Sequence, residues 1–396
     1  MTMLANVVSR TRREAFCLKW AALGVYLFLS AFFWASGPAP LRGIFYLFLL
    51  LPFLAVLPWR RWRLDEYGGY FTLSALVFAA YSVAASLWGR PEDIGFFLKQ
   101  WVFLAFWLCG IAWLFYHRPV DLQRLYSVVI AVGVVCALVT VYGFFMGANS
   151  DPEGRLSGFG LAENSTVVAQ IFGVAALLAY IKSLQADSAK LSWLFLGAAL
   201  VCAWVILLSG SRGAALALVL VALAALVIIR PRPSIWVPQV ILGGLVLGAA
   251  ILSVGVATLL EVRVTAFSLR DVIWRELLQR VPGHLLFGIG YYEDSRILIA
   301  DVGVFHHAHN SWLDILYYGG ALGLLLALWH GVLLARTFSC DRDLLPLYLW
   351  WVYGCLCLLT NGSSLLTRPD AQWLMYWVPA GLLAAVVMSR RRCPHP

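Results

Sequence analysis

The chain alternates between long apolar runs and short breaks that carry charged, glycine or proline residues. A transmembrane helix needs about 20 mostly apolar residues, and most of these runs approach that length. The pattern predicts twelve membrane-spanning helices, over residues 17–35, 41–58, 70–88, 97–116, 125–145, 167–181, 191–208, 213–229, 236–260, 312–335, 344–359 and 372–388. Short runs such as 167–181 are expected to extend into their flanks. The predicted fold class is an all-α integral membrane protein.

Composition excludes the other broad classes of protein. Of the 396 residues, 62% are hydrophobic and 12% are charged, whereas soluble domains carry about 25% charged residues. So few charges cannot cover a soluble enzyme, and so apolar a chain is neither disordered nor fibrous. The 18 Trp and 16 Tyr residues suit aromatic belts at the two membrane interfaces. The net charge of +9 fits nucleic acid, a membrane surface or an anionic substrate, and its placement decides among them.

The positive-inside rule orients the predicted spans. With the N-terminus in the cytoplasm, the inside segments hold 18 of the 29 basic residues. These are Arg10, Arg12, Arg13, Lys19, Arg60, Arg61, Arg63, Arg118, Arg124, Lys182, Lys190, Arg230, Arg232, Arg336, Arg342, Arg390, Arg391 and Arg392. Twelve spans return the C-terminus to the cytoplasm as well. Most of the positive charge therefore serves orientation in the bilayer, and no nucleic-acid partner is expected.

One outside segment is long enough to have its own structure. It divides the chain into a first part, 1–260, with nine predicted helices, the periplasmic segment 261–311, and a last part, 312–396, with three helices and a cytoplasmic tail. Apolar residues recur near helical spacing within it, at Leu269, Val272, Ile273, Leu277 and Val281. The pattern predicts an amphipathic helix along the membrane surface, which ends at Pro282 and Gly283.

Arginines are concentrated in the same outside segment, against the topological bias. They are Arg263, Arg270, Arg275, Arg280 and Arg296. A guanidinium presents a planar fork of donors that suits phosphate oxygens, so one interpretation is an anion site. The other is that these side chains extend to lipid headgroups at the interface. As a group they favour an anion site that contains at least one of them.

A polar turn interrupts the apolar runs between spans seven and eight. Its sequence is Ser209-Gly210-Ser211-Arg212-Gly213, and Arg212 has no acidic neighbour in the sequence. A charge at that depth is costly and suggests a functional role. Backbone N–H groups at the start of the next helix, together with the guanidinium, would favour a phosphate. The alternative is a hairpin turn with an arginine at the interface.

Three of the seven histidines lie where the long segment enters span ten, at His306, His307 and His309. A metal site is not expected, because no acidic residue completes a zinc-binding pattern and the HExxH motif is absent. A second interpretation is that one or two of these histidines are structural and cap the helix. The third interpretation is a general base, since the imidazole titrates near neutral pH and nearby arginines would keep it unprotonated.

Four short elements are arranged around these polar positions. They are His309-Asn310 followed by Gly320-Ala321-Leu322-Gly323, the segment Arg212-Gly213-Ala214-Ala215-Leu216, the stretch from Arg270 and Trp274 through Pro282 to Gly288-Ile289-Gly290, and Arg155-Leu156-Ser157-Gly158 with Asn164. Together they resemble the O-antigen ligases of lipopolysaccharide assembly and the related O-antigen polymerases. The resemblance covers roughly residues 150–325, and the combination of elements is more specific than any one of them.

The resemblance implies a membrane glycosyltransferase of the general GT-C kind, inverting and without cofactor or metal. Its donor would be O-antigen glycan on undecaprenyl pyrophosphate and its acceptor a sugar hydroxyl of lipid A–core, at the periplasmic face of the bacterial inner membrane. His309 would be the general base, and Arg212 and Arg270 would stabilise the pyrophosphate. The implied substrate-binding residues are Arg155, Asn164, Ser211, Arg275, His307 and Asn310. Both Arg270 and Arg275 fit the family's loop arginine, and Trp274 favours Arg270.

Two other functions remain open from the sequence. An O-antigen polymerase would use the same chemistry to extend lipid-linked repeat units, and the motifs discriminate poorly between it and a ligase. An organic-anion transporter would place ionisable groups near the middle of the membrane and would show broken helices in paired halves. Here the charged residues gather at the ends of the predicted spans, which disfavours a transporter. The oligomeric state is not indicated by the sequence.

Overall fold

We describe a computed structural model of the chain, which covers residues 2–57, 68–118, 120–232, 237, 270–291, 297–299, 303–305 and 307–392. Almost all ordered structure in these ranges is α-helical, as predicted. The predicted ninth span, 236–260, lies outside the described residues except for Val237, and so do Arg263, Leu269, Arg296 and His306.

The described helices follow the predicted apolar runs closely. They are α1 (Thr2–Trp34), α2 (Pro38–Val56), α3 (Gly69–Ala85), α4 (Ile94–His117), α5 (Leu122–Phe145), α6 (Ser165–Leu184), α7 (Ala189–Ser209), α8 (Arg212–Ile229), α9 (described over 270–280), α10 (Ser311–Ala335), α11 (Leu345–Thr360), α12 (Ala371–Met375) and α13 (Trp377–Arg392). Short strands β1 (Ile297–Ile299) and β2 (Gly303–Phe305) pair in antiparallel fashion. The sixth predicted span does extend into its flanks, because Asn164 caps its first turn.

Eight helices of the described ranges are long and apolar enough to cross a membrane, and α3 and α11 are shorter apolar helices. Three predicted spans are less regular than the sequence suggested, and the break in the tenth, at Gly320, is described below. Residues Tyr46–Leu50 of α2 form a π-helical turn just before Pro52, whose ring cannot continue the hydrogen-bond ladder. The twelfth span is interrupted at Tyr376, whose backbone leaves the helical region between α12 and α13. The chain is an all-α, multi-pass membrane protein.

Polar residues near the helix ends are linked on the face away from the histidines. The start of α5, the loop after α6, the segment before α11 and the end of α13 meet there, as the predicted alternation of these spans requires. Side-chain contacts join them: Arg342 to Asp187 at 3.3 Å, Arg390 to Asp341 at 2.9 Å and Gln123 to Asp343 at 2.9 Å. The opposite face carries the ends of α7 and α11 and the starts of α6, α8 and α10.

The centre of the bundle is α6, nearly all of whose side chains are buried. Small residues allow close helix packing around it, because glycine and alanine let two backbones approach in a membrane. A Cβ on Gly133 of α5 would collide with Ala175, and one on Gly173 would collide with the Tyr353 hydroxyl of α11. Helices α8 and α11 both pack against α6. This packing holds the start of α8 and the end of α11 together at the histidine-bearing face.

Two glycine elements identified in the sequence interlock and fix the segment after α9. Gly320 has a φ of 66° and breaks α10, and a Cβ there would collide with the carbonyl of Leu286. The freed backbone groups are used by the neighbouring segment: Ile289 donates its N–H to Tyr317 at 3.0 Å, and Gly290 donates to Tyr318 at 3.0 Å. The break in α10 therefore anchors α9 next to the start of α10.

Candidate active site

The turn between α7 and α8 brings backbone donors and a guanidinium to one place. Gly210 ends α7 with a φ of 65°, a left-handed conformation that glycine adopts without steric cost. Ser211 is the N-cap of α8 and Arg212 is its first residue. Gly213 lies so close to Thr360 of α11 that a Cβ would collide with its hydroxyl. The positive end of the α8 dipole thus meets the end of α11.

A second arginine packs over this turn from the loop before α6. The Arg155 guanidinium pairs with Asp151 at 2.8 Å and with Glu153 at 3.1 Å. The methylene carbons of Arg155 lie against Gly210. The loop is tied to α7 because the Leu156 N–H donates to the carbonyl of Leu208 at 3.0 Å. Part of the Arg155 charge is therefore balanced by its own loop.

Helix α9 supplies a third arginine. Ile273, Leu277 and Val281 are buried on the face predicted from their spacing, whereas Val272 is 40% exposed and lies outside that face. Arg270 and Trp274 are one turn apart and line the same cavity. Arg275 lies on another side of the helix: its side chain is 67% exposed and pairs with Asp271 at 2.7 Å.

The three arginines meet at one cavity of about 420 Å³. Its wall comes from the loop before α6, the α7–α8 turn, α9 and the end of α11. The lining residues are Arg155, Thr166, Gly210, Ser211, Arg212, Gly213, Leu216, Arg270, Asp271, Trp274 and Thr360. Three guanidinium groups and one carboxylate leave the described wall with an excess of positive charge, and Asp271 is already paired with Arg275.

The electrostatic environment of Arg270 is repulsive toward its own charge. Burial lowers the pKa of Arg270, and the positive charges of Arg212 and Arg155 lower it further. Arginine nevertheless remains protonated in proteins because its ordinary pKa is so high. Like charges held together in a partly buried cavity are stabilised by an anion, so the arrangement suits a phosphate or pyrophosphate.

The histidine segment lies next to this cavity. Asn310 is the N-cap of α10, and its side-chain oxygen accepts from the N–H groups of Trp312 at 3.1 Å and Leu313 at 3.2 Å. His309 has a φ of 52°, a left-handed conformation that costs a non-glycine residue about 1–3 kcal/mol. Its backbone N–H donates to Nδ1 of His307 at 3.3 Å, and the two rings are in edge contact. Such strain is typical of functional positions.

The environment of His309 disfavours the protonated form of its imidazole. Burial lowers the pKa of His309, a hydrogen bond with the Asn361 side chain opposes that effect, and the charge of Arg270 lowers the pKa again. His309 does not line the cavity itself. It lies beside the cavity, near Arg270 and Asn361. A neutral imidazole at that position can accept a proton from a hydroxyl group.

The structure brings together some of the residues selected from the sequence and separates others. Arg155, Ser211, Arg212 and Arg270 share one cavity with His309 beside it. Asn164 caps α6, where its oxygen accepts from Thr166 N–H at 2.8 Å. As described above, Asn310 caps α10, His307 supports the backbone of His309, and Arg275 is turned away. Of these, the four cavity members line the space in which an anion could bind, and His309 lies at its side.

Sequence reasoning missed two residues at the end of α11, Thr360 and Asn361. They follow an apolar run in a segment without a recognised motif, so nothing in the sequence linked them to the arginines or histidines. Their position depends on the packing of α8 against α11 and on Gln170, whose Nε2 donates to the Asn361 carbonyl at 3.4 Å.

The protein is a multi-pass membrane protein in which a cavity lined by three arginines lies beside a histidine at one end of the helix bundle. Residues 197–328 match the family model described as O-Antigen ligase. The chain is also 29% identical over 387 residues to a protein of Pseudomonas aeruginosa named O-antigen ligase, covering 94% of this chain and 91% of that protein. The chain is therefore similar to O-antigen ligases, over residues 197–328 by the family model and over nearly its whole length by this relative.

Proposed function

We propose that the protein transfers O-antigen glycan from undecaprenyl pyrophosphate to a sugar hydroxyl of lipid A–core. The observation that carries this proposal is the cavity lined by Arg155, Arg212 and Arg270, with His309 at its side. A cationic cavity beside a neutral base is what such a transfer requires, because the donor leaves as an anion and the acceptor must lose a proton.

Arg212 and Arg270 stabilise the pyrophosphate as the bond to the glycan breaks. Negative charge grows on the leaving oxygen in the transition state, and donors already aimed at that position stabilise it without reorganisation. The first N–H groups of α8 add to this stabilisation. Arg155 is a weaker contributor, since Asp151 and Glu153 already balance its charge. Guanidinium groups thereby supply the charge that a divalent metal supplies in other glycosyltransferases.

His309 accepts the proton of the acceptor hydroxyl. The acceptor oxygen forms a bond to the anomeric carbon while the bond from that carbon to the pyrophosphate oxygen breaks. The electron pair leaves with the pyrophosphate, and attack from the opposite face inverts the anomeric centre. The Asn361 side chain lies beside the imidazole, where it can accept or donate a hydrogen bond that orients the ring. Holding two lipid-anchored substrates at one end of the bundle supplies proximity.

We infer that this cavity faces the periplasm from the inner membrane and that both termini lie in the cytoplasm. The supporting observation is that the ends of α7 and α11 and the starts of α6, α8 and α10 lie together, opposite the face with Arg342 and Arg390. Cytoplasmic segments of membrane proteins carry the excess of arginine and lysine.

The test is transfer by the purified protein in liposomes. Lipid-linked O-antigen and lipid A–core are supplied together and separately, and the products are separated by size. We expect glycan on lipid A–core only when both substrates are present, and no lengthening of the donor alone. Longer lipid-linked glycans in the absence of lipid A–core would instead establish a polymerase. The length of the match to the protein named O-antigen ligase favours the ligase.

A further inference from the structure

Ala308, the residue that precedes His309, is held at both of its backbone polar atoms. The Ala308 N–H donates to Oδ1 of Asp314 at 3.0 Å, and the Ala308 carbonyl accepts from Nε1 of Trp274 at 2.9 Å. Asp314 lies in the first turn of α10 and Trp274 lies on α9. The two hydrogen bonds therefore connect the arginine-bearing helix to the start of the helix that His309 precedes.

The Asp314 carboxyl is an unexpected group for this position. The residue is 1% exposed, and within the described part of the chain its second oxygen, Oδ2, has no hydrogen-bond partner. Burying a carboxyl with an unsatisfied oxygen is costly, whereas a leucine of similar size would pack there without that cost. The hydrogen bond to Ala308 is the interaction that a leucine would lose.

Trp274 contacts both the cavity and the backbone next to His309. Its ring lines the cavity one turn from Arg270, while its indole N–H reaches the Ala308 carbonyl. An indole is a donor only, so this bond fixes which way the ring edge points. The same residue thus sets the distance between the cationic cavity and the backbone that carries the imidazole.

His309 needs such support because of its backbone conformation. A non-glycine residue with a φ of 52° persists only where its surroundings enforce that conformation. Asn310 fixes the residue after His309 by capping α10, and the Ala308 peptide fixes the residue before it. Between these two anchors, the imidazole lies near Asn361 and Arg270.

We propose that Trp274 and Asp314 are positioning residues that clamp the backbone of Ala308 from both sides and so hold the His309 imidazole in register with Arg270. This inference rests on the proposed function for the role it gives to His309. The clamp itself is a structural property and is tested separately from glycan transfer.

The first measurement follows the accessibility of His309 in the full-length protein. Diethyl pyrocarbonate modifies neutral, accessible imidazoles, and peptide mass spectrometry gives the rate for each histidine. Trp274→Phe keeps an aromatic ring in the cavity wall but removes the donor. We expect this variant to raise the His309 rate at least about threefold through local opening, with the rate of exposed His284 unchanged. A His309 rate equal to that of the wild type overturns the proposal.

Asp314 is tested by a conservative and a disruptive substitution. Asp314→Asn keeps an oxygen that accepts from the Ala308 N–H, so we expect a His309 rate close to that of the wild type. Asp314→Leu removes the acceptor and should raise the rate as Trp274→Phe does. Equal rates in the Asn and Leu variants would contradict the clamp. Trp274→Phe keeps the proposal testable if the leucine variant does not fold.

A matched control removes a comparable hydrogen bond elsewhere. The Trp101 indole of α4 donates to the Leu76 carbonyl at 3.1 Å. Trp101→Phe loses this bond but should leave both the His309 modification rate and transfer unchanged. A rise in the His309 rate in this variant would show that the effect is general loosening, which would overturn the assignment to the Ala308 peptide.

Transfer kinetics give the second readout. Because misplacing a catalytic group by a small distance costs up to about 10²-fold in rate, we expect Trp274→Phe to lower kcat about tenfold. The donor KM should change little, since all three arginines remain. A raised KM with unchanged kcat would contradict positioning of the base. If the wild type transfers no glycan but the His309 rates respond as described, the proposed function fails and the clamp stands.

Discussion

Replacing Arg270 separates the effect of its charge from the effect of its shape. Arg270→Met removes the charge and all donors, whereas Arg270→Lys keeps the charge and loses the planar fork that binds two phosphate oxygens at once. Arg275→Met is the matched comparison on the same helix. Its guanidinium is exposed and already pairs with Asp271 at 2.7 Å. The sequence left both arginines as candidates, and these variants distinguish them.

The expected magnitudes follow from the cavity. Losing one preorganised donor to a developing anion lowers kcat by about 10²–10³-fold. Arg270 is repelled by Arg212 and Arg155, and removing it relieves that repulsion, so the lower end applies. We expect a loss of about 10²-fold for Arg270→Met and about tenfold for Arg270→Lys. An exposed ion pair contributes about 0–1 kcal/mol, so Arg275→Met should cost at most about fivefold.

The assay is the initial rate of glycan transfer at saturating donor, with protein folding checked by thermal unfolding in detergent. All three variants should unfold near the temperature of the wild type, because neither side chain is part of the packed core. Transfer by Arg270→Met within a fewfold of the wild type would refute the assignment. A greater loss in Arg275→Met than in Arg270→Met would refute it as well.

Three further predictions concern pH, backbone and metal. Burial and the charge of Arg270 lower the pKa of His309. We therefore expect kcat/KM to remain flat as the pH falls through about 6.5, the ordinary pKa of histidine, and to decline only below it. A decline that begins above that pH would contradict a neutral His309 base. Gly320→Ala places a side chain at a φ of 66° against the Leu286 carbonyl and should cost at least about 1–2 kcal/mol, seen as a lower unfolding temperature. Gly197→Ala on α7, where a Cβ meets nothing, is its control and should leave that temperature unchanged or raise it. Transfer should survive EDTA, since arginines supply the charge, and a loss restored by a divalent cation would contradict this.

Helix positions were predictable because bilayer length and apolar content fix them. The breaks at Tyr376 and Gly320 were not, since both depend on neighbouring segments. The sequence identifies Gly320 as part of a motif. Only the tertiary structure shows that Gly320 interrupts α10 and that the segment around Ile289 donates hydrogen bonds to the carbonyls next to this break.

The candidate site was predictable in its charged members and not in their supports. Arg212 and Arg270 were conspicuous because charges oppose the topology there, and the three histidines were conspicuous by clustering. Asn361 and Asp314 carry ordinary polar groups near the ends of apolar runs, a position that many helix caps share. Only the packing of α10 and α11 shows that Asp314 accepts from the N–H of Ala308, next to His309, and that Asn361 lies beside the His309 ring.

The most direct test of the central claim is a comparison of donor binding and transfer in His309→Gln. The substitution keeps a polar side chain of similar size but removes the base. We predict that the purified variant binds lipid-linked pyrophosphate donor as the wild type does, while single-turnover transfer to lipid A–core falls by about 10²–10⁴-fold. Transfer at nearly the wild-type rate by a variant that binds the donor normally would contradict His309 as the base.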